Sequence, residues 1–207
     1  DNDNNGIFSP NNDGVDLNRN YAFDWGYDDT GSSSDPSSET YRGTVGFSEP
    51  ETSAIRTLCQ DHEFKTSLSF HTFGDLLIYG EHADGTPFED TDLFRSYAKD
   101  MIMKNAYTYG NGTETVNYTT NGDSDSWLYG EQTEKPKIMA YTPEIGDDND
   151  YFWASTDRIL PLAEENLFMQ QYICLVAGGF LKATEHRFEE TIGDFDLAPE
   201  ADETLNF

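Results

Sequence analysis

Three short apolar runs constrain this chain more than any other feature of its sequence. Residues 66–70, 76–79 and 137–141 have strand length and are bounded by polar or Gly-containing turns, the pattern of strands in a buried sheet. The first two are predicted to pair as neighbours. Between the runs the apolar period changes. Leu93, Phe94, Tyr97, Ala98, Met101 and Ile102 recur at helical spacing and predict an amphipathic helix over about 90–105. Another helix is predicted to start at Ser48 as N-cap, with Pro50 early and a stripe of Ala54, Ile55 and Leu58. A long one is predicted over about 156–181, loosening at Gly178-Gly179. Strands alternating with helices imply an α/β fold with helices on both faces of the sheet.

A length of 207 residues suits one such domain. Aromatics are plentiful enough, with 14 Phe, 12 Tyr and 3 Trp, to build its core despite a mean hydropathy of -0.70. Against 12 Lys and Arg stand 40 Asp and Glu, and the resulting charge of -28 repels nucleic acid and anionic membrane. A solvated acidic coat suited to salty surroundings is the favoured reading of that excess, with some carboxylates available for Ca²⁺. The segment Asp1-Asn2-Asp3-Asn4-Asn5-Gly6-Ile7 matches the front half of an EF-hand-like Ca²⁺ loop, but Asn12 stands where the closing Glu belongs. Cys59 and Cys174 lie in apolar, helical surroundings and are expected to be buried thiols. No signal peptide is expected within these residues, and the longest apolar run, near 173–181, is expected to be too short for a bilayer.

Residues 1–46 read as ordered loop, and a domain seldom begins with so long a loop unless something precedes it. Residues 110–125 return to turn chemistry, and 182–207 read as an acidic tail or linker toward a further module, leaving 1–181 as the domain. Against this background five features could carry chemistry. They are Asn18-Arg19 in a loop, His71 at a strand end, Tyr118 in a Gly-rich loop, Asp123 and Asp125 just after it, and Glu144 at another strand end. Loops at strand ends are where α/β folds hold ligands. Singly, each has an ordinary structural reading as a hydrogen-bonded histidine or a solvated acid.

Their order and flanking residues add a resemblance. Gly14-Val15-Asp16-Leu17-Asn18-Arg19-Asn20-Tyr21 closely resembles the carboxylate-binding motif of the carboxypeptidase A/B family of zinc carboxypeptidases. Ser38-Glu39-Thr40-Tyr41-Arg42-Gly43 with Ser48-Glu49-Pro50-Glu51-Thr52 is similar to the family's next block. Ser69-Phe70-His71-Thr72-Phe73, running on to Leu76-Leu77-Ile78-Tyr79, resembles the strand with its third zinc ligand. Tyr118 lies nine residues before Trp127, as the family's substrate-capping tyrosine lies before its tryptophan. Tyr141-Thr142-Pro143-Glu144-Ile145-Gly146 resembles the block of the catalytic glutamate. Five blocks in order make coincidence an unsatisfactory account.

The resemblance implies a mixed parallel and antiparallel sheet whose N-terminal strands are missing from this chain. It implies a secreted or periplasmic enzyme that takes single residues from peptide or protein C-termini with the help of Zn²⁺. Arg19 would take the terminal carboxylate bidentately, Asn18 would add a donor and Tyr118 would close the pocket. His71 would be one zinc ligand, and Glu144 would move the proton from water to the leaving amine. The family's pocket-floor position falls on Asp125, where an acid suits C-terminal Lys or Arg, with Asp123 assisting; solvent exposure or cation binding is the alternative reading of Asp125. The other two zinc ligands are expected upstream, in a His-x-x-Glu word absent here, and His62, His82 and His186 do not replace them. An upstream oxyanion-stabilising arginine is also absent, so these 207 residues without the preceding polypeptide are expected to be inactive. Two rivals stay open: a peptidase or amidase of cell-wall peptides with the same metal and glutamate, and a non-catalytic carboxylate-binding module.

Overall fold

The computed structural model describes residues 6–9 and 13–178. The acidic tail over 182–207, and most of the candidate Ca²⁺ loop together with Asn12, lie outside these residues. Four strands form one sheet: β1 (Thr66–Leu68), β2 (Leu76–Tyr79), β3 (Thr108–Asn111) and β4 (Met139–Glu144), in the spatial order β1-β4-β2-β3. β1 runs parallel to β4, β4 antiparallel to β2, and β2 parallel to β3, which is the mixed sheet expected. The first two strands are therefore not neighbours, because β4 inserts between them. β3 was hidden in sequence, since Thr-Tyr-Gly-Asn shows no apolar alternation.

Helices cover both faces. On one, α2 (Thr91–Met101) and α6 (Leu167–Ala177) pack against Leu77, Tyr79, Met139 and Tyr141 of the strands. α2 presents Phe94, Tyr97, Ala98 and Met101, spaced by three or four residues, with Asp92 in its first turn and Lys99 in its last to complement the helix dipole. α6 contributes Phe168, Met169, Tyr172, Ile173 and Val176, and the Tyr172 hydroxyl donates to Asp100 Oδ2 at 2.7 Å, tying the two helices. Each such large side chain taken from water stabilises the fold by about 2 kcal/mol. On the other face α1 (Pro50–Asp61) and α4 (Ser124–Gly130) pack Cys59, Trp127 and Leu128 against Ile138 and Ala140. Alternate residues of β4 thus serve opposite cores.

The remaining helices are short: α3 (Gly112–Thr115), and α5 (Ile159–Glu165), which follows a 3-10 turn over Thr156–Arg158. The single long helix expected over 156–181 is interrupted at Asn166. That buried side chain donates from Nδ2 to the Tyr107 hydroxyl and to Leu162 O, and its Oδ1 accepts from Asn105 Nδ2, so it serves tertiary bonds at the break between α5 and α6. The helix expected over 90–105 ends at Met101. Ser48 is not a cap: the residue before α1 is Glu49, whose side chain makes no capping bond, while Ser48 Oγ donates to Glu49 Oε1. Cys59 is buried but Cys174 is exposed, because it falls on the outer side of α6. No helix among the described residues is long and apolar enough to cross a membrane.

The loop over 13–49 is ordered by Asn20, whose exposure is 0 %. Its Nδ2 donates to Arg42 O, Val45 O and Ser48 Oγ, and its Oδ1 accepts from the Glu49 N–H and the Thr52 hydroxyl. One amide thus fastens three stretches of irregular backbone to the start of α1. Asn20→Ala removes these bonds and leaves the Glu49 N–H without its partner, while Arg42 O keeps Trp25 Nε1 and Val45 O keeps Ser48 N. Chemical denaturation is expected to show a loss of about 2 kcal/mol. A loss below about 0.5 kcal/mol would contradict the role given to this residue.

Candidate active site

The site is built where the connection from β1 to β2 arches over the C-terminal end of β4. Thr66 faces Met139 in the parallel pairing, and after a break the same offset returns with His71 opposite Glu144. Ser69 N donates to Tyr141 O, His71 N to Pro143 O at 2.8 Å, and Ile145 N to His71 O at 3.0 Å. Gly146 O then accepts from the N–H groups of Gly74 and Asp75, turning the chain into β2. Backbone pairing alone therefore sets the two side chains next to each other. His71 Nδ1 lies 3.8 Å from Glu144 Oε1, and Nε2 is 3.3 Å from Ser69 Oγ.

A second segment meets this end of the sheet. Leu17–Arg19 is a single 3-10 turn capped by Asp16, whose carboxylate accepts from the Asn18 N–H. Asn18 Oδ1 accepts from Ser124 N at 2.9 Å, and Tyr21 N donates to Gly122 O at 2.8 Å, so the turn is clamped to the start of α4. Gly122 is required there: with φ +75, a Cβ would come within 2.5 Å of Arg19 O. With Oδ1 engaged, the Asn18 amide keeps Nδ2 as its donor for a ligand. Arg19 spends one N–H on Asn18 O, while its buried Nε has no hydrogen-bond partner.

Asn18, Arg19, His71, Tyr118, Asp125 and Glu144 all line one cavity of about 270 Å³. Tyr118 is 51 % exposed at the rim, following Asn117, whose φ of 62 is left-handed. Asp125 sits in the first turn of α4 at 5 % exposure; its Oδ2 accepts from the Thr142 hydroxyl at 2.7 Å and its Oδ1 has no partner. This excludes the solvent-facing alternative for Asp125. Asp123 is instead a helix cap, Oδ1 accepting from Ser126 N and Oδ2 from the Thr120 hydroxyl. Glu144 Oε2 is likewise buried without a partner.

Burial dominates the titration of these groups. It pushes Asp125 up to about 8, with the neighbouring Asp123 adding to the rise, and Glu144 up to about 7. It lowers His71, because burial disfavours the charged imidazolium. Two structural contributors escaped notice in the sequence: Thr142, which aims Asp125, and Glu81, a buried acid on the cavity wall directly beyond β2. Glu81 follows its strand much as Glu144 terminates one, so the rule that singled out Glu144 reaches it too.

The His71 imidazole has the donor chemistry of one metal ligand. It is not a metal site by itself. Among the described residues no group of three or more His, Cys, Asp or Glu could hold an ion, so the residues present do not complete a zinc centre.

Chemically the arrangement is a pocket at the ends of a mixed α/β sheet, with the part-buried guanidinium of Arg19 for an anion and the carboxyl of Glu144 for proton transfer. Such a pair can bind an anion and exchange a proton beside it. The sequence matches the zinc carboxypeptidase (Peptidase_M14) family over residues 2–169, and the chain belongs to that family. It is 31% identical to carboxypeptidase B of Bos taurus over 169 residues, 77% of this chain and 39% of the relative. It is 34% identical to carboxypeptidase B of Astacus astacus over 161 residues, 73% of this chain and 51% of the relative. Among solved structures it is similar to bovine thrombin-activatable fibrinolysis inhibitor in complex with tick carboxypeptidase inhibitor, at TM-score 0.70 and 27% identity, covering 84% of this chain and 60% of that one. Carboxypeptidase A from Helicoverpa armigera is similar at TM-score 0.69, with 83% and 44% covered. The chain thus spans between about two fifths and half of the length of the two carboxypeptidases B.

Asp125 gives a test of the site's electrostatics. Its folded pKa is raised above the ordinary 3.8, so the protonated form is the one the fold prefers. Stability from this group is complete below pH 4 and is lost as pH rises toward about 8. Asp125→Asn should therefore gain on the parent as pH rises from about 4 to about 8, by several kcal/mol at most, in denaturation series. A difference independent of pH would contradict the burial of an unpaired carboxyl.

Proposed function

We propose that the complete protein is a zinc-dependent carboxypeptidase that releases single residues from peptide C-termini, with C-terminal Lys or Arg preferred. The observation that carries this is the convergence of Arg19, His71, Tyr118, Asp125 and Glu144 on one cavity. Family membership supports the reaction class. In this reading the Arg19 guanidinium holds the terminal carboxylate, and the unpaired Nε and the Asn18 amide explain why the turn leaves donors unused. Tyr118, exposed at the rim, closes over the bound residue and donates its hydroxyl.

Glu144 takes a proton from the attacking water at its unpartnered Oε2 and delivers it to the leaving amine. A carboxyl titrating at about 7 is matched to both halves of that transfer near neutral pH. Zinc, when bound, would supply Lewis acidity toward water and the scissile carbonyl. His71 is the ligand proposed from this chain, and the remaining ligands belong to polypeptide outside the 207 residues, which by themselves are proposed to be inactive. For the side chain of the departing residue, the free Oδ1 of Asp125 on a buried wall offers a partner to a cation and a poor one to hydrocarbon. Extracellular or periplasmic action fits this reading.

Peptides ending in Lys, Arg, Phe or Leu, supplied to the complete protein with and without a chelator, test it. Chelator-sensitive release with Lys and Arg ahead is expected; no release of any terminal residue would leave only a binding module. Glu144→Gln should lower kcat by about 10³-fold, and a variant as active as the parent would remove the proposed base. Arg19→Met should act mainly on kcat/KM, by about 10²-fold or more, since the whole substrate is misplaced without its carboxylate anchor.

A further inference from the structure

Five carboxyl side chains wall the cavity against the one guanidinium of Arg19: Asp16, Glu81, Asp123, Asp125 and Glu144. Three have a use already. Asp16 caps the 3-10 turn, Asp123 caps α4, and Glu144 faces His71. Asp125 and Glu81 remain, both at 5 % exposure, and among the described residues neither pairs with a Lys or Arg.

Glu81 is held in place. Its Oε1 accepts from the Thr113 N–H at 2.8 Å and from the Thr113 hydroxyl at 3.0 Å, and Oε2 lies 3.1 Å from the same hydroxyl. Its backbone touches the segment that carries Asp125: the Ser126 hydroxyl donates to Glu81 O at 2.9 Å. A Cβ on Gly80 would meet Ser126 N at 3.0 Å and the Asp125 carbonyl carbon at 3.1 Å. The two segments touch, and both acids line the same cavity. Burial raises the pKa of both.

Neutral donors from one threonine do not require a charged acceptor, since a glutamine carbonyl would accept the same bonds from Thr113. A buried carboxylate ionised without a cation is costly, and an incoming cation offsets that cost at each of the two positions. The unpartnered Oδ1 of Asp125 is the independent sign that the space awaits a donor.

We infer that Glu81 is a second specificity-determining residue of the pocket, acting with Asp125 to select a departing residue whose side chain is cationic. The inference rests on the carboxypeptidase reading. Under it, an arginine or lysine side chain meets acids from two walls, whereas a leucine leaves both facing hydrocarbon and must see them protonated.

The test uses the complete, zinc-loaded protein as parent, Glu81→Gln and Asp125→Asn. kcat/KM is measured for matched peptides ending in Arg and Leu, and binding of free arginine and leucine is measured by calorimetry. Glu81→Gln is expected to lower the arginine-to-leucine ratio of kcat/KM about tenfold, and Asp125→Asn about a hundredfold, with the arginine-to-leucine affinity ratio falling in the same order. An unchanged ratio in Glu81→Gln, or an equal loss on both peptides, would overturn the inference and leave Glu81 a structural acceptor for Thr113. If the parent releases neither residue, the peptidase reading fails separately, and the calorimetric ratio alone then decides what Glu81 does.

Discussion

β4 is shared between a parallel neighbour and an antiparallel one, and most of the site follows from that arrangement. Because β1 and β2 lie on opposite sides of β4, the connection between them must pass over the end of β4. The crossing is pinned by bonds from His71 N to Pro143 O and from Gly74 N to Gly146 O. His71 and Glu144 are therefore neighbours by backbone register rather than by any attraction between their side chains, which stand 3.8 Å apart. A group positioned this way can stay chemically unsatisfied, as Glu144 Oε2 does, because the sheet and not the side chain supplies the stability.

The second half of the cavity depends on irregular backbone. The turn at Leu17–Arg19 has no sheet or long helix to fix it, and its order comes from buried polar groups instead. Asn20 ties it to α1, and Asn18 with Gly122 ties it to α4. This is an expensive way to order a chain, since each amide must find all its partners. It also leaves Arg19 beside β4 with an uncommitted Nε. Asp125 is brought in by the same junction, on the first turn of α4 and braced by Thr142 of β4.

Much of this could be read from the amino-acid order. The helical spacing of Phe94, Tyr97, Ala98 and Met101 and the apolar run Leu76–Tyr79 report burial directly, and burial is what periodicity encodes. Acids and histidines at strand ends drew attention to His71 and Glu144 for the same reason. What escaped was decided by partners distant in sequence. β3 is polar and becomes a strand only because β2 offers an edge, and α4 begins with Ser-Asp-Ser, a turn-like word capped by Asp123. The insertion of β4 between β1 and β2 is a matter of topology that no local pattern carries. Asn166 reads as an ordinary helix residue until Tyr107 and Asn105 are seen to claim its amide.

The central claim is that a peptide C-terminus occupies this cavity with its carboxylate on Arg19 and its side chain toward Asp125. A crystal structure of the complete, zinc-loaded Glu144→Gln protein with an arginine-terminated peptide bound tests it most directly. The account predicts the terminal carboxylate within hydrogen-bond distance of the Arg19 guanidinium, and the substrate guanidinium on Asp125 Oδ1. A peptide bound with its carboxylate remote from Arg19, or with its side chain in solvent, would contradict it.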